Sequence, residues 1–287
     1  MKLSLKVKNL MSRKVVFVEV PGSRRQALEL MLKTGHIGIP AVKKGSMKLV
    51  GMINPEDLIN KSEEEDLAFI VNRDYPTVKP DDSLRNVVEI MLDKDYRKIP
   101  VVDEDRQLVG IISVYDVLAK VVSRISIPDI IEEYVHGRVP TAWEETPLRV
   151  AFMVMKHFKS SVLIALDSRC NITGIITLDD LMKEAEVIIR EMKSSLTAPS
   201  EGMAWSWDPI TIVYVTRSVL FFPETLKLKD IMTKNIVTVN EYASVSHCAK
   251  LMVEKDIDQL PVVDLNGELK GIIYDIDLLK AITKYLK

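Results

Sequence analysis

Apolar residues in this chain recur with two patterns, one typical of amphipathic helices and one typical of short buried strands. The helical spacing is clearest at Leu84, Val87, Val88, Met91 and Leu92, and it returns at Val245, Cys248, Ala249, Met252 and Val253. Such a stripe predicts a helix with one buried face. Short β-type runs follow helices of this kind, namely IPAV from Ile39, IPVVD from Ile99, LIALD from Leu163 and LPVVD from Leu260. The pattern therefore predicts a mixed α/β fold.

One short stretch occurs four times along the chain. It reads LVGMINPEDLI from Leu49, LVGIISVYDVL from Leu108, ITGIITLDDLM from Ile172 and LKGIIYDIDLL from Leu269. Each copy places an aspartate six residues after a glycine. One more strand is expected before the first helix of a copy, as in PTVKP at Pro76 or IVTVN at Ile236. We therefore predict four β-α-β-β-α repeats of about 50–60 residues each, an α/β fold of the α+β kind.

A repeat that ends in glycine, two apolar residues, serine or threonine, and an aspartate three residues later resembles the CBS domain, the cystathionine β-synthase domain. The resemblance covers all four repeats. It implies pseudo-twofold pairs, called Bateman modules, and pairing would bury surface that one small repeat leaves exposed. The first pair is expected in residues 1–125, with repeats at about 6–60 and 66–122, and the second in 126–287, with repeats at about 128–185 and 227–287.

An insert is expected at about 186–226, between repeats 3 and 4. It contains Trp205, Trp207 and a β-rich run that ends in Phe221 and Phe222. The two tryptophans could cover a sheet edge or the junction of the modules. A surface for a partner or a second copy of the chain is the other interpretation.

The resemblance also implies an adenosine ligand, AMP, ADP, ATP or S-adenosylmethionine, in clefts between paired repeats. In this family the aspartate accepts hydrogen bonds from the ribose hydroxyls, a role that falls on Asp116, Asp180 and Asp277. The serine or threonine before it, here Ser113 or Thr177, faces phosphate together with a helix N-terminus.

Further ligand contacts follow from the same resemblance. A threonine of the first strand commonly approaches the adenosine, and the segment before the second strand lines the base pocket. The residues implied are Thr77, Thr141 and Thr238 in first strands, Tyr96, Lys98, Val162 and Ile257 in the base pocket, and Ile111 in the glycine-led strand. Repeat 1 departs from the pattern, with Phe17 in place of the threonine and Asn54 in place of the serine.

Each of these residues also has a purely structural interpretation. Ser113 with Asp116 has the spacing of a capping box, which satisfies free N–H groups at a helix start. Threonine is common in strands for its β-propensity alone, and Arg97 and Lys98 could be solvated surface cations. Tyr274 replaces the hydroxyl residue while Asp277 persists. Since a capping pair is expected to disappear together, this difference favours a ligand role for the aspartate.

Composition and charge exclude little. The chain has 287 residues, 47% hydrophobic and 28% charged, with a formal net charge of −2, which indicates no global bias toward nucleic acid or membrane. Two distant cysteines fit a reducing compartment, and the run ITIVYVTRSVLFF from Ile210 is too short and too polar to span a bilayer. We expect a cytoplasmic protein, and we interpret its basic N-terminal residues as a solvated face rather than a nucleic-acid site.

No catalytic or metal-binding motif occurs in the sequence. The histidines His36, His136, His157 and His247 lack the spacing of a helical metal pair, and neither a P-loop, a G-x-G-x-x-G nor a G-x-S-x-G motif is found. Cys248 lies on the buried stripe of a predicted helix, as an inert core thiol would. We therefore expect no enzyme and no metal.

Two functions fit these observations. The first is a regulatory protein, expected as a homodimer, that binds adenine nucleotides without turnover and acts on an unknown regulated protein. The second is a structural or docking protein with largely empty clefts, whose insert binds a partner. Phe17 and Asn54 support the second function because both depart from the binding pattern.

Overall fold

Each repeat is organised around one small sheet, and the predicted mixed α/β fold is confirmed. The computed structural model describes residues 3–36, 38–54, 57–58, 61, 64–184, 186–195 and 212–287. In the three-stranded sheets the first strand pairs parallel to the second, and the second pairs antiparallel to the third. A helix between the first two strands makes that parallel connection, as the geometry of parallel pairing requires.

Repeats 1 and 2 follow this plan with one difference. Repeat 1 contains β1 (Val18–Val20), α1 (Arg24–Thr34), β2 (Ile39–Lys43) and β3 (Leu49–Ile53). Repeat 2 contains α2 (Leu67–Ile70), α3 (Leu84–Asp93), β4 (Lys98–Val102), β5 (Leu108–Ser113) and α4 (Val114–Lys120). The strand predicted at PTVKP is wrong: only Val78 forms a bridge, to Val101. Pro76 and Pro80 flank it without N–H donors, and the Lys79 N–H bonds to Asp82 instead.

Repeats 3 and 4 also follow the plan. Repeat 3 contains β6 (Thr141–Trp143), α5 (Leu148–Phe158), β7 (Val162–Leu166), β8 (Ile172–Thr177) and α6 (Leu178–Glu184). Repeat 4 contains α7 (Leu228–Ile231), β11 (Val239–Asn240), α8 (Val245–Lys255), β12 (Gln259–Val263), β13 (Leu269–Tyr274) and α9 (Asp275–Ile282). Between them, β9 (Glu186–Ser195) and β10 (Ile212–Phe221) pair antiparallel. Trp205 and Trp207 lie outside the described residues.

The helices form where the apolar stripes predict them. Ser83 and Ser244 cap α3 and α8 by accepting backbone N–H groups three residues on, at 3.3 and 3.2 Å. Four of the five stripe residues of α3 are buried, as predicted, and Leu92 is half-buried. Cys248 on α8 is also buried, and burial raises the pKa of its thiol to about 12. This confirms a core position for that cysteine.

The chain divides into two compact units. Unit 1 comprises Met1–Val139 and Val237–Lys287, and unit 2 comprises Pro140–Ile236. Within unit 1, helices of repeats 2 and 4 share one hydrophobic core, and repeat 1 has its own. The sheets of repeats 1 and 2 meet in a smaller cluster of Val42, Leu49, Val102 and Leu108. No helix in the described ranges is long and apolar enough to cross a membrane.

Candidate functional site

Each glycine of the repeated stretch lies beneath a segment from a different repeat. We call these segments leaders: residues 7–12, 67–72, 131–136 and 228–233. The last residue of each leader forms an antiparallel bridge to a glycine-led strand: Ser12 to Ile111, Asn72 to Met52, His136 to Ile272, and Thr233 to Ile175. The leader of repeat 1 thus pairs with repeat 2 and that of repeat 2 with repeat 1, while the leader of repeat 3 pairs with repeat 4 and that of repeat 4 with repeat 3.

This crossing explains why glycine recurs in the stretch. A Cβ on Gly110 would lie 2.8 Å from Met11 Sδ and 3.1 Å from the Ser12 carbonyl oxygen. A Cβ on Gly271 would collide with the His136 carbonyl oxygen. The glycine therefore serves the exchange of leaders, and its recurrence alone does not indicate a ligand.

In repeat 2, the carboxylate of Asp116 lies where the leader, β5 and α4 meet. It is 6% exposed. Its Oδ2 accepts hydrogen bonds from the Ser113 backbone N–H at 2.9 Å and from Ser113 Oγ at 2.7 Å. Its Oδ1 accepts from Ser12 Oγ at 3.1 Å and from Lys120 Nζ at 2.7 Å. This set of donors balances the cost of burying the charge.

In repeat 4, Asp277 occupies the same place with different neighbours. It is 2% exposed. Its Oδ2 accepts from the Tyr274 backbone N–H at 3.1 Å and lies 2.8 Å from His136 Nε2. Its Oδ1 accepts from Lys280 Nζ at 2.7 Å. A helical lysine and a leader side chain therefore contact each of these two carboxylates, Asp116 and Asp277.

Repeats 3 and 1 share the backbone contact at their aspartates. Asp180 Oδ2 accepts from the Thr177 backbone N–H at 3.0 Å and from Thr177 Oγ1 at 2.7 Å. Asp57 Oδ2 accepts from the Asn54 backbone N–H at 2.9 Å. Neither aspartate is as buried as Asp116 or Asp277.

The structure corrects the capping argument. We expected a capping role to disappear with the hydroxyl residue, but Asp277 still accepts the Tyr274 backbone N–H, which every residue except proline offers. In all four repeats the aspartate accepts the backbone N–H of the residue three positions before it, whatever side chain that residue carries. Its persistence in repeat 4 is therefore no evidence for a ligand.

The segment predicted to line a base pocket is half-buried beside Asp116. Lys98 is the cross-strand partner of Ser113 in the sheet. Burial and the positive charge of Arg97 lower the pKa of Lys98, while the charge of Asp116 opposes this. The ring of Tyr96 packs edge-on against Tyr75, with 4.6 Å between centroids. Lys98 and Asp116 are thus brought together in repeat 2.

Arg97 is committed elsewhere in unit 1. Its Nη2 donates to Asp275 Oδ1 at 2.5 Å and to Asp258 Oδ2 at 3.1 Å, both in repeat 4. Burial raises the pKa of Asp275 to about 7, although the charge of Arg97 opposes the rise. Arg97 therefore links repeats 2 and 4 through ion pairs, while its side chain stays 40% exposed.

The other implied residues have varied settings. Thr77, Ile111 and Ile257 are half-buried, and Thr141 and Thr238 are exposed. Thr141 lies in β6, while Thr238 directly precedes β11. Val162 is 1% exposed, and its backbone N–H and carbonyl both hydrogen-bond Ser160 Oγ. The Val162 side chain belongs to the core.

The sequence interpretation missed four side chains that contact Asp116 or Asp277: Ser12, Lys120, His136 and Lys280. The lysines follow their aspartates by four and three residues on a helix, which is a signal that sequence offers. Ser12 and His136 are the polar last residues of their leaders, which end in LMS and YVH, and this position could have indicated them. Among the described residues, no cluster of three or more His, Cys, Asp or Glu side chains could hold a metal ion.

The chain is similar in sequence and in structure to known proteins. The family description of the CBS domain matches residues 7–64, 65–123, 131–186 and 228–284. An uncharacterized protein of Methanocaldococcus jannaschii is 25% identical over 291 residues, 94% of this chain and 95% of that protein. A crystal structure from that organism, described as a proposed archaeal homolog of γ-AMPK, gives a TM-score of 0.70 at 24% identity, with 96% and 99% of the chains covered. An uncharacterized conserved protein of Pyrococcus horikoshii gives 0.66 at 27% identity, with 97% and 100% covered.

Proposed function

Since the chain belongs to the CBS-domain family, we propose that unit 1 binds an adenine nucleotide beside Asp116 and beside Asp277 and passes its occupancy to a regulated partner without chemical turnover. The family matches cover most of the chain in four tandem repeats. CBS-domain proteins of this kind are generally regulatory, which supports a binding role over a catalytic one.

The observation that carries this proposal is the shared construction of the two sites. Each has a buried carboxylate at a helix N-terminus, a lysine ammonium at 2.7 Å and a leader side chain within hydrogen-bond reach. A carboxylate has lone pairs for both hydroxyls of a ribose, and a nearby ammonium suits a phosphate. Burying the aspartate and partly burying the lysine costs solvation free energy, which is a high cost for a purely structural contact.

The lysines favour a phosphate-bearing ligand. S-adenosylmethionine carries a cationic sulfonium, which Lys120, Lys280 and Lys98 would repel, whereas AMP, ADP and ATP carry the opposite charge. Asp116 already accepts four hydrogen bonds, so a bound ribose must replace Lys120 or Ser12 on Oδ1. The released lysine, which also donates to the Leu10 carbonyl, would then have an N–H to offer the phosphate.

We also propose that repeats 1 and 2 form one Bateman module and repeats 3 and 4 the other. The reciprocal exchange of leaders supports this pairing, because each leader pairs with its proposed partner repeat. The homodimer and the action on a regulated protein stay predictions.

Thermal melting tests the nucleotide sites. With AMP or ATP at about a hundredfold excess over its Kd, the midpoint should rise by roughly 5 °C or more, because the ligand stabilises only the folded state. The double variant Asp116→Asn with Asp277→Asn should lose most of this shift, since an amide accepts fewer hydrogen bonds than a carboxylate. Asp275→Asn is the matched control, a buried aspartate outside both sites, and it should keep the shift.

Two results would reject the nucleotide proposal. One is a well-folded protein whose midpoint no adenosine compound moves, which would instead favour a docking protein with empty clefts. The other is an equal loss of the shift in Asp275→Asn and in the double variant.

A further inference from the structure

We propose a second anion site in unit 1, a cationic cavity at the hairpin turns of repeats 1 and 2 that binds a small molecule bearing a di- or triphosphate. The cavity measures about 450 Å³ and is lined by Val20, Lys43, Lys48, Leu49, Val50, Arg73 and Arg106. Its volume lies within the range of small-molecule sites. Four of its seven lining residues are cations.

These cations come from separate segments that are held together. The two hairpins join where the Leu49 N–H donates to the Arg106 carbonyl at 2.9 Å and the Leu108 N–H donates to the Met47 carbonyl at 2.8 Å. Arg73 follows the end of the repeat 2 leader, and its Nη2 donates to the Ala68 carbonyl at 3.0 Å. The backbone that carries the four exposed cations is thus held by pairing between the two repeats, which reduces the ordering cost of binding.

No carboxylate within the described ranges forms an ion pair with any of the four cations. Glu19, beside Val20 in β1, accepts a hydrogen bond from the Gly45 backbone N–H at 3.2 Å. Like charges around a concave surface repel one another and raise the local concentration of anions. Four charges exceed what a single phosphate would neutralise, which points to a polyphosphate group.

The charge is not imposed by the fold. At the place of Lys43, the other three repeats have Asp103, Asp167 and Asp264, each of which accepts two backbone N–H groups of its own turn at 2.8–3.0 Å. Repeat 1 has the cation Lys43 in place of this turn-forming carboxylate. Its turn is held through Ser46 instead, whose Oγ accepts the Lys48 N–H at 3.3 Å.

The surface that corresponds to this cavity when repeats 1 and 2 are interchanged also shows that the fold does not require the cations. By strand register, Lys43, Lys48, Arg73 and Arg106 correspond to Asp103, Gln107, Arg13 and Met47. One surface therefore carries four cations, whereas the other carries one cation and one carboxylate.

The cavity is separate from the Asp116 site. It borders the start of β5 at Leu108, while Ser113 ends that strand, about 17 Å away at ~3.4 Å per residue. A polyphosphate bound here could be free or could be the tail of a nucleotide. These sources share one chemistry and can be distinguished by experiment.

Calorimetric titration of the full chain with inorganic tripolyphosphate tests the proposal. The double variant Lys48→Gln with Arg106→Asn should weaken binding by about tenfold or more, because two charge-assisted contacts are lost. Asparagine suits position 106, where φ is 61°. The matched control, Lys33→Gln with Lys250→Gln, removes two exposed cations elsewhere and should leave the Kd within about twofold at constant salt.

Further arms separate the sources and the alternatives. Asp116→Asn should leave tripolyphosphate binding unchanged, and Lys48→Arg should retain it. ATP that competes with tripolyphosphate when adenosine does not would identify the nucleotide tail as the ligand group. The proposal is overturned if wild-type protein gives no binding heat at millimolar tripolyphosphate, if both double variants lose affinity equally, or if Asp116→Asn abolishes binding. Circular dichroism confirms that each variant is folded.

Discussion

Repeats 2 and 4 hold the same buried aspartate in two different settings. Asp116 is contacted by two serine hydroxyls, whereas Asp277 has a histidine ring and a tyrosine in their places. Three parts are common to both: a backbone N–H at the helix start, a lysine on the same helix, and a leader side chain from another repeat. The difference shows that the hydroxyl before the helix is dispensable, while the backbone and the leader fix the carboxylate.

The leader contact predicts the largest difference between the two repeats. Gly271→Ala should lower the free energy of unfolding by about 3 kcal/mol, because a Cβ would strike the carbonyl of His136, which is held by backbone hydrogen bonds to Ile272. Gly110→Ala should cost about 1 kcal/mol, since Met11 Sδ can move away. Urea denaturation of both variants measures the difference. Equal losses would contradict the prediction that the His136 carbonyl resists the added Cβ more than Met11 does.

The ion pair that links the two repeats predicts the next effect. Arg97→Ala should cost about 2 kcal/mol, because it leaves Asp275 buried without its partner, although the 40% exposure of the Arg97 side chain moderates the loss. Adding Asp275→Asn should restore most of the stability, in the same denaturation assay. If the two losses simply add, the pair is not coupled.

The pH dependence of stability follows from the raised pKa of Asp275. A carboxyl whose pKa rises from about 4 in the unfolded chain to about 7 in the fold binds more protons when folded within that window. Its contribution to stability is therefore present below about pH 4 and is lost as the pH rises toward 7. Relative to Asp275→Asn, the wild type should lose about 2.5 kcal/mol between pH 5 and 7.5 in urea titrations. A pH-independent difference between the two proteins would contradict this assignment.

The capping hydroxyl predicts the smallest effect. Ser113→Ala should cost about 1 kcal/mol of stability, yet its nucleotide Kd should stay within about threefold of wild type, because Asp116 would keep the backbone contact that Asp277 has. Denaturation and calorimetry measure the two quantities. A loss of affinity as large as that of Asp116→Asn would instead make the hydroxyl a ligand contact.

Local pattern was enough to predict the repeats and most of their elements. The stripe of α3, the β-type runs and the glycine with its aspartate all lie within one stretch of chain, where periodicity reports burial directly. The exception was PTVKP, where two prolines outweighed the β-propensity of threonine and valine.

The missing parts of the site depend on distant pairings. Ser12 meets Asp116 across 104 residues, and Arg97 meets Asp275 across 178. Neither residue belongs to the repeated stretch, so no spacing within it could reveal them. Alignment of the four leaders would have indicated Ser12 and His136 as their last residues. It would not have shown which strand each one pairs with.

Because the leaders are exchanged, the evolutionary unit of this protein is a pair of repeats rather than a single repeat. A single repeat taken from the chain would carry a leader suited to a strand it does not contain, and would lack the one that covers its own glycine. Recombination that moved one repeat would damage two. Duplication, loss or grafting is therefore expected to succeed only in steps of two adjacent repeats, with the linking segment between them kept intact.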